Sequence, residues 1–544
     1  MTTTAPAPTP LVPAPLASGH RAPRAPRALV VTGAVVATLF AGPLVYLAIR
    51  TMGFGGSALD VLASDDAAGP LLRTLLLAAS VSASCALLGT GLAWLVVRTD
   101  LPGRRVVRVL LVLPLVIPSF VGAFALQAAF ASGGLLDRIL GFGVPPRIEG
   151  FWAAFGVLTL LSYPYVYLPV AARLAVLPPA LEESARSLGR TPTEVFRTVV
   201  LPQAAGAVAG GSLLTFLYCV SEFGAVSLVR YDTLTLRIEA TRLFDRETSI
   251  TLSLLLALVA LLVVFGERSL ARRRAPIEAV GAGRGSHQSQ LGRWRVPALG
   301  AVGALLVLAL VAPAAVLAEW AARGDGSRFG GAGSAADLLK PMLNTVGVSV
   351  VTALVATVVV LPLAYLTVRH RSRVGVAVNG LVLGGFALPG LVIALALVFW
   401  VLGTPIARGL YQSFPLLVFA YVVHFGAQAL RASQVAVSGL PTRLDDAARA
   451  LGASRWRRLR TVELPLIAPG LAAGAGLVLL ATMKELPATL LLAPTGFDTL
   501  ATRIWSSSES GLLARAGLTA LVLVALSAVL TWLVTIRRMD RLER

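Results

Sequence analysis

Lysine is almost missing from this chain of 544 residues: only Lys340 and Lys484 occur. Pro341 follows the first and Glu485 the second, so neither completes the Gly-Lys-Ser/Thr loop that cradles nucleotide phosphates. Any ATP used in its work must sit on another chain. Cysteine is equally sparse. Cys85 and Cys219 each lie inside an apolar run, with no CxxC and no disulfide framework, and read as small core residues. Of the four histidines only His424 falls in an apolar run, which argues against a His-based metal site. No nucleophile–base pair stands out, so no catalytic residue, metal or cofactor is expected on this chain. Charged residues make up 14% of it, against about a quarter in soluble proteins.

What remains is apolar. Hydrophobic residues reach 56% and mean hydropathy is +0.80, more than one water-soluble core can absorb. The fold expected is an all-α polytopic membrane protein with about twelve transmembrane helices. Residues 1–27, rich in Ala, Pro and Thr, read as a disordered tail. The run at 28–49 is too long for a signal-peptide core and lacks a clear cleavage site, so it reads as a retained first span. Further runs fall near 70–97, 106–130, 151–175, 203–229 and 249–266. After a polar, basic linker at 269–295 they resume near 296–318, 342–368, 375–402, 414–437, 466–493 and 511–536. The first half is therefore 28–268 with its core at 70–268, and the second 296–544 with its core at 341–537.

The net charge of +20 is nearly all Arg and sits in short gaps between spans. That placement fits the excess of basic residues in cytoplasmic loops better than nucleic-acid binding. RTDLPGRRVVR, ERSLARRR, RHRSR and RRMDRLER all fall on one side if both termini are cytoplasmic.

The halves repeat. RTLLLAASVSASCALLGTGLAWLVVR (73–98) matches NTVGVSVVTALVATVVVLPLAYLTVR (344–369), Pro118 matches Pro389, and YDTLTLRI matches FDTLATRI. With an even number of spans per half the copies share one orientation, a parallel repeat. The most informative copies are not apolar. LEESARSLGRTPTEVFRTVVLP ends at Pro202, and LDDAARALGASRWRRLRTVELP ends at Pro465. Each reads as a short helix, a Gly bend at Gly189 or Gly452, a second helix, and a Leu-Pro corner into the next span. Thr191 and Glu194 supply a capping box in the first copy, and Ser454 an N-cap in the second. Two equally spaced copies on the cytoplasmic side imply a partner that is itself two-fold.

These segments resemble the cytoplasmic signature of binding-protein-dependent ABC importer permeases: E-A-A, three residues, G, nine residues, a β-branched residue, one residue, L-P. Here it stands as Glu183-Ser184-Ala185, Gly189, Val199, Leu201-Pro202, and as Asp446-Ala447-Ala448, Gly452, Val462, Leu464-Pro465. Ser184 and Asp446 depart mildly from the pattern. The resemblance, from about residue 70 onward, implies a type I importer with two permease domains fused. It also implies coupling helices docked on a cytoplasmic ABC ATPase dimer, which holds the ATP and Mg, and an extracytoplasmic substrate-binding protein. KELPATLLL with FDTLA and RIW resembles the iron(III) permeases. Permeases for thiamine, phosphonate or another small solute are the alternatives within the family.

Glu222 and Glu485 are repeat-equivalent and, with Lys484, lie near the ends of the fifth spans. Ionisable groups at such depth line a cavity or bind a partner helix. Both readings stay open: lining or gate of the translocation path, or an interhelical ion pair. An ion-gradient-driven secondary transporter is the rival class. It predicts broken helices with ionisable residues near the midplane and no paired docking motif.

Overall fold

Hydrocarbon offers the backbone no hydrogen bonds, so a chain this apolar must satisfy its peptide groups within helices. The computed structural model describes residues 26–141, 147–271, 289–323, 335–370, 373–385 and 388–533. Nearly all of the tail at 1–27, most of the linker at 269–295 and the basic C-terminal stretch lie outside the described residues. Among those described there is no strand, only an isolated bridge between Thr99 and Ser289.

Among the described residues eleven helices are long and apolar enough to cross a membrane. The span expected at 375–402 is the exception, because it is broken. Helix Arg373–Gly385 gives way to a second helix, Gly390–Gly403, after Pro389. The first half breaks at the same place: helix Arg104–Leu110, a tight turn at Leu113–Val116, then helix Ser119–Phe130 after Pro118. Both prolines are extended, with ψ 145° and 141°. Without an N–H, and with its ring crowding the preceding turn, proline cannot carry a helix through. The fifth spans, Leu201–Val220 and Leu464–Met483, also stop short, and the short helices Gly224–Leu228 and Pro487–Leu492 follow them.

In each half spans 2, 4 and 5 form the central packing unit: Asp65–Arg98, Phe151–Ala175 and Leu201–Val220, then Ala335–Arg369, Phe414–Ser438 and Leu464–Met483. Small residues set the spacing, as they do where lipid supplies no hydrophobic drive between helices. A Cβ at Gly211 would lie 2.7 Å from the Tyr165 carbonyl, and one at the repeat-equivalent Gly474 would lie 2.6 Å from Ala432 Cβ. Large apolar side chains on the outside, such as Leu87 and its counterpart Val358, are exposed in position to meet lipid.

The first spans lie across the repeat boundary. Helix Arg27–Phe54 packs on its own sixth span, Arg246–Ala271, but also on the second half, where Phe40 fills the space a Cβ would need at Gly426. Reciprocally, Ala312–Ala322 packs on the last span, Leu513–Thr531, and on the first half, where Trp320 Nε1 donates to the Ala128 carbonyl at 3.0 Å.

Candidate functional site

Two features recur in both halves and are built from charged or polar residues: a pair of elbows at one end of the bundle, and a cavity between the halves.

The first elbow is helix Pro179–Ser187, a bend at Gly189, and helix Pro192–Val195. The second is Thr442–Ala450, Gly452 and Arg455–Arg458. Gly189 and Gly452 have φ of +82° and +76°, the left-handed region where a side chain is strained. The capping box is formed: Glu194 Oε2 accepts from the Thr191 backbone N–H at 2.7 Å, and Thr191 Oγ1 accepts from the Glu194 N–H. Those bonds, from the Thr191 backbone and then its hydroxyl, hold the Glu194 carboxyl below its ordinary value. Ser454 Oγ accepts from the Arg457 N–H, as its N-cap role requires.

The Leu-Pro corner is not formed. Chain runs straight from each elbow into the next span through a wide π turn, Phe196–Val200 or Leu459–Glu463, with Pro202 and Pro465 in the first turn of the helix beyond. The widened turn accommodates a residue that has no N–H to give, so the helix continues where a corner was expected. Leu201, Pro202 and Pro465 are exposed and Leu464 is half-buried.

Within the elbows Glu183, Ser184, Asp446 and Ala447 are exposed, while Ala185 is buried and Ala448 half-buried. Leu188 and Leu451 stand 81% and 88% exposed beside the two glycines, apolar side chains at the tip of a charged surface.

Sequence reasoning missed the residues that fasten the elbows. Arg98, ending the second span and 1% exposed, donates to the Leu177 carbonyl at 3.1 Å and pairs with Glu182 at 3.3 Å. Its counterpart Arg369 donates to the Leu440 carbonyl at 2.8 Å. The sequence did offer a signal, since both arginines hold one place in the repeat. In the second half Asp445 replaces Glu182 and pairs instead with Arg449 and Arg458. The far end of the same span is tied too: Thr74 Oγ1 accepts from the Leu234 N–H and Thr345 Oγ1 from the Leu500 N–H, each at 2.8 Å. Both ties end on the leucine of the repeated Asp-Thr-Leu.

The breaks in spans 3 and 5 face one another around a cavity of about 270 Å³. Its wall contains repeat-equivalent pairs: Ser119 and Gly390, Ser221 and Lys484, Glu222 and Glu485, Tyr165 and Gln428. It therefore lies on the axis that relates the halves. Non-helical backbone at membrane depth is tolerated where it lines such a space or is buried in protein. Glu222, Lys484 and Glu485 all reach the cavity, together with His424, whose place the sequence did not reveal.

Among the described residues neither Glu222 nor Lys484 forms an ion pair, so the ion-pair reading fails for both. Lys484 Nζ instead donates across the interface to the Leu115 carbonyl at 2.8 Å. Glu222 caps the helix after its break, accepting from the Ala225 N–H at 2.8 Å. Glu485 does the same for Ala488 at 3.2 Å. Among the described residues no group of three His, Cys, Asp or Glu side chains is placed to hold a metal. Both cysteines are buried and free.

Broken helices beside ionisable groups are what the gradient-driven rival predicted, so geometry alone does not separate the two classes. Comparison with known proteins does. The family described as "Binding-protein-dependent transport system inner membrane component" matches twice, at residues 86–275 and 360–539, leaving the exchanged first spans outside both segments. The chain is 31% identical over 496 residues to the Fe(3+)-transport system permease protein FbpB 2 of Haemophilus influenzae, covering 90% of this chain and 94% of that one. It is 34% identical over 236 residues to the molybdenum transport system permease protein ModB of Mycobacterium tuberculosis, which covers 41% of this chain and 86% of the relative. The sulfate transport system permease protein CysT of Escherichia coli is 32% identical over 158 residues, 29% of this chain and 56% of its own. Twin elbows, a twice-matched family and a relative aligned almost end to end place this chain in the binding-protein-dependent transport system inner membrane component family, as an ABC importer permease with two units fused in one multi-pass protein.

Proposed function

We propose that the chain forms the translocation path of an iron(III) importer, with both termini cytoplasmic. A pair of ATPase subunits grips Glu183–Gly189 and Asp446–Gly452, and a substrate-binding protein delivers cargo on the opposite face. The observation that carries the coupling role is the twin elbow with its exposed Leu188 and Leu451. An apolar side chain standing in water at the same place in two copies calls for a partner with two matching grooves. ATP and Mg belong to that partner.

Motion at an elbow has a stiff route inward. Arg98 or Arg369 joins the elbow's root to span 2, and about 24 residues of helix, some 36 Å, carry the movement to Thr74 or Thr345. From there Leu234 adjoins Thr235, whose hydroxyl donates to the Glu222 carbonyl at 2.6 Å beside the cavity. Span 2 acts as a lever between the docking surface and the path. The cavity, lined by Glu222, Lys484 and Glu485, is the part of the path this lever opens and closes.

Iron(III) is favoured by KELPATLLL and by the relative named for Fe(3+) transport, since that protein alone of the three above spans both halves. Another small solute, such as thiamine or a phosphonate, is the alternative. Uptake of ⁵⁵Fe(III) by cells carrying the whole system tests the reading. Uptake should vanish when the partner ATPase is deleted and survive an uncoupler while ATP is held. Uptake without any ATPase would overturn the coupling role, and intact uptake of another solute with none of iron would overturn the cargo.

A further inference from the structure

The two carboxylates at the cavity hold equivalent positions but do not have equivalent freedom. Glu222 uses both oxygens, Oε1 on the Ala225 N–H and Oε2 on the Ser119 hydroxyl, each at 2.8 Å. In the second half Gly390 stands where Ser119 would be. Gly390 offers the Glu485 carboxylate no hydroxyl, and a Cβ there would come within 2.6 Å of Glu485 Oε1. Glu485 therefore engages the Ala488 N–H through Oε1 alone. Its Oε2 has no hydrogen bond to a described residue. His424 Nε2 stands 4.0 Å from it, beyond hydrogen-bond reach.

A second polar group in the same wall is also left over. Ser162, 1% exposed, lines the cavity, and its hydroxyl has no partner among the described residues. Buried polar atoms are nearly always satisfied, and an orphan facing a cavity marks a place where something else supplies the bond. Both glutamates cap a helix, but Glu222 has both oxygens engaged, while Glu485 Oε2 and the Ser162 hydroxyl are left for a ligand.

We propose that Glu485 is the residue that meets the cargo in passage, presenting Oε2 to a cation, and that Glu222 is a positioning residue which holds the break in span 5. The proposal rests on the reading of the cargo as iron(III). A carboxylate in a narrow, partly dry space attracts a multivalent cation far more strongly than it would in water. With a single free carboxylate oxygen and, among the described residues, no set of three ligands, the site touches cargo without trapping it.

Proteoliposomes of the complete complex, supplied with loaded binding protein and ⁵⁵Fe(III), report iron taken up per ATP hydrolysed. Glu485→Gln keeps the shape and the Ala488 bond, and the ratio should fall at least tenfold. Glu222→Gln should keep the ratio within twofold of wild type even if both rates drop together. An unchanged ratio for Glu485→Gln, or an equal fall for both variants, overturns the proposal and leaves the iron reading standing. A wild-type complex that hydrolyses ATP with the binding protein but moves no iron overturns the cargo reading, and the proposal with it. If Lys484→Met collapses the ratio and Glu485→Gln does not, the cargo meets the amine as an anion and the proposal fails.

Discussion

Arg98 and Glu182 form a buried ion pair at 3.3 Å that joins the second span to the first elbow, and among the described residues the second half has no equal of it. The guanidinium also holds the Leu177 carbonyl, so a single side chain fixes both the root and the first turn of the elbow. Removing one partner of such a pair leaves the other charge buried and alone, at a cost of about 3 kcal/mol. Arg98→Ala should therefore lower the melting temperature of the purified permease and cut binding-protein-stimulated ATPase activity more than tenfold. Arg369→Ala, which loses only a carbonyl contact, should cost less on both readouts. Equal effects would show that the ion pair adds nothing.

Gly189 and Gly452 bend the chain at φ values that cost other residues about 1–2 kcal/mol each. Gly189→Val and Gly452→Val should leave the spans inserted and weaken capture of the ATPase in a pull-down from solubilised membranes. Wild-type recovery of the ATPase by both variants would remove the elbows from the docking surface.

Leu188 and Leu451 support a complementary experiment, because among the described residues both stand exposed. Leu188→Asp and Leu451→Asp should not change thermal stability by more than about 0.5 kcal/mol, as exposed sites rarely do. ATPase affinity should fall by at least tenfold for each. A stability loss without an affinity loss would mean that these side chains pack inward.

Glu194 gives a pH dependence with a fixed sign. Its carboxyl is held below the ordinary 4.5 by the Thr191 N–H and hydroxyl, so the box is fully formed above that value and is lost as pH falls through the lower one. Hydrogen exchange of the Thr191 amide should show constant protection from pH 7 to 5 and a decline only in more acid solution. Protection already declining between pH 7 and 6 would mean that the box is not formed as described.

The elbows were legible because their signals are local: a capping box, a glycine that ends a helix, and a second copy to check both. Hydropathy located the spans but was blind to where they break, since an apolar helix and an apolar bend have one composition. Pro118 and Pro389 were visible as a repeated pair, yet the breaks at Glu222 and Glu485 carry no such residue in common. The Leu-Pro corner failed for the opposite reason. Proline signals a stop, and the π turn that lets a helix run past it depends on five backbone groups, not on one residue type. Arg98 and Arg369 were read as ordinary inside charges because their partners, the Leu177 and Leu440 carbonyls and Glu182, lie far along the chain. Nothing in one sequence pairs Ser119 with Glu222 or shows that Gly390 leaves Glu485 free.

The first spans bear on how the protein is made. Helix Arg27–Phe54 leaves the ribosome before its partners, since much of its packing surface belongs to Ala335–Arg369 and the broken span after it. At about 5–20 residues per second that surface is synthesised tens of seconds later. Until then the sixth span of its own half can cover part of the helix, but the face where Phe40 meets Gly426 has only lipid or the insertion machinery for company. A gene cut in the connector would give two half-chains that mature only by clasping each other's opening helix, so fusion in one chain guarantees the clasp.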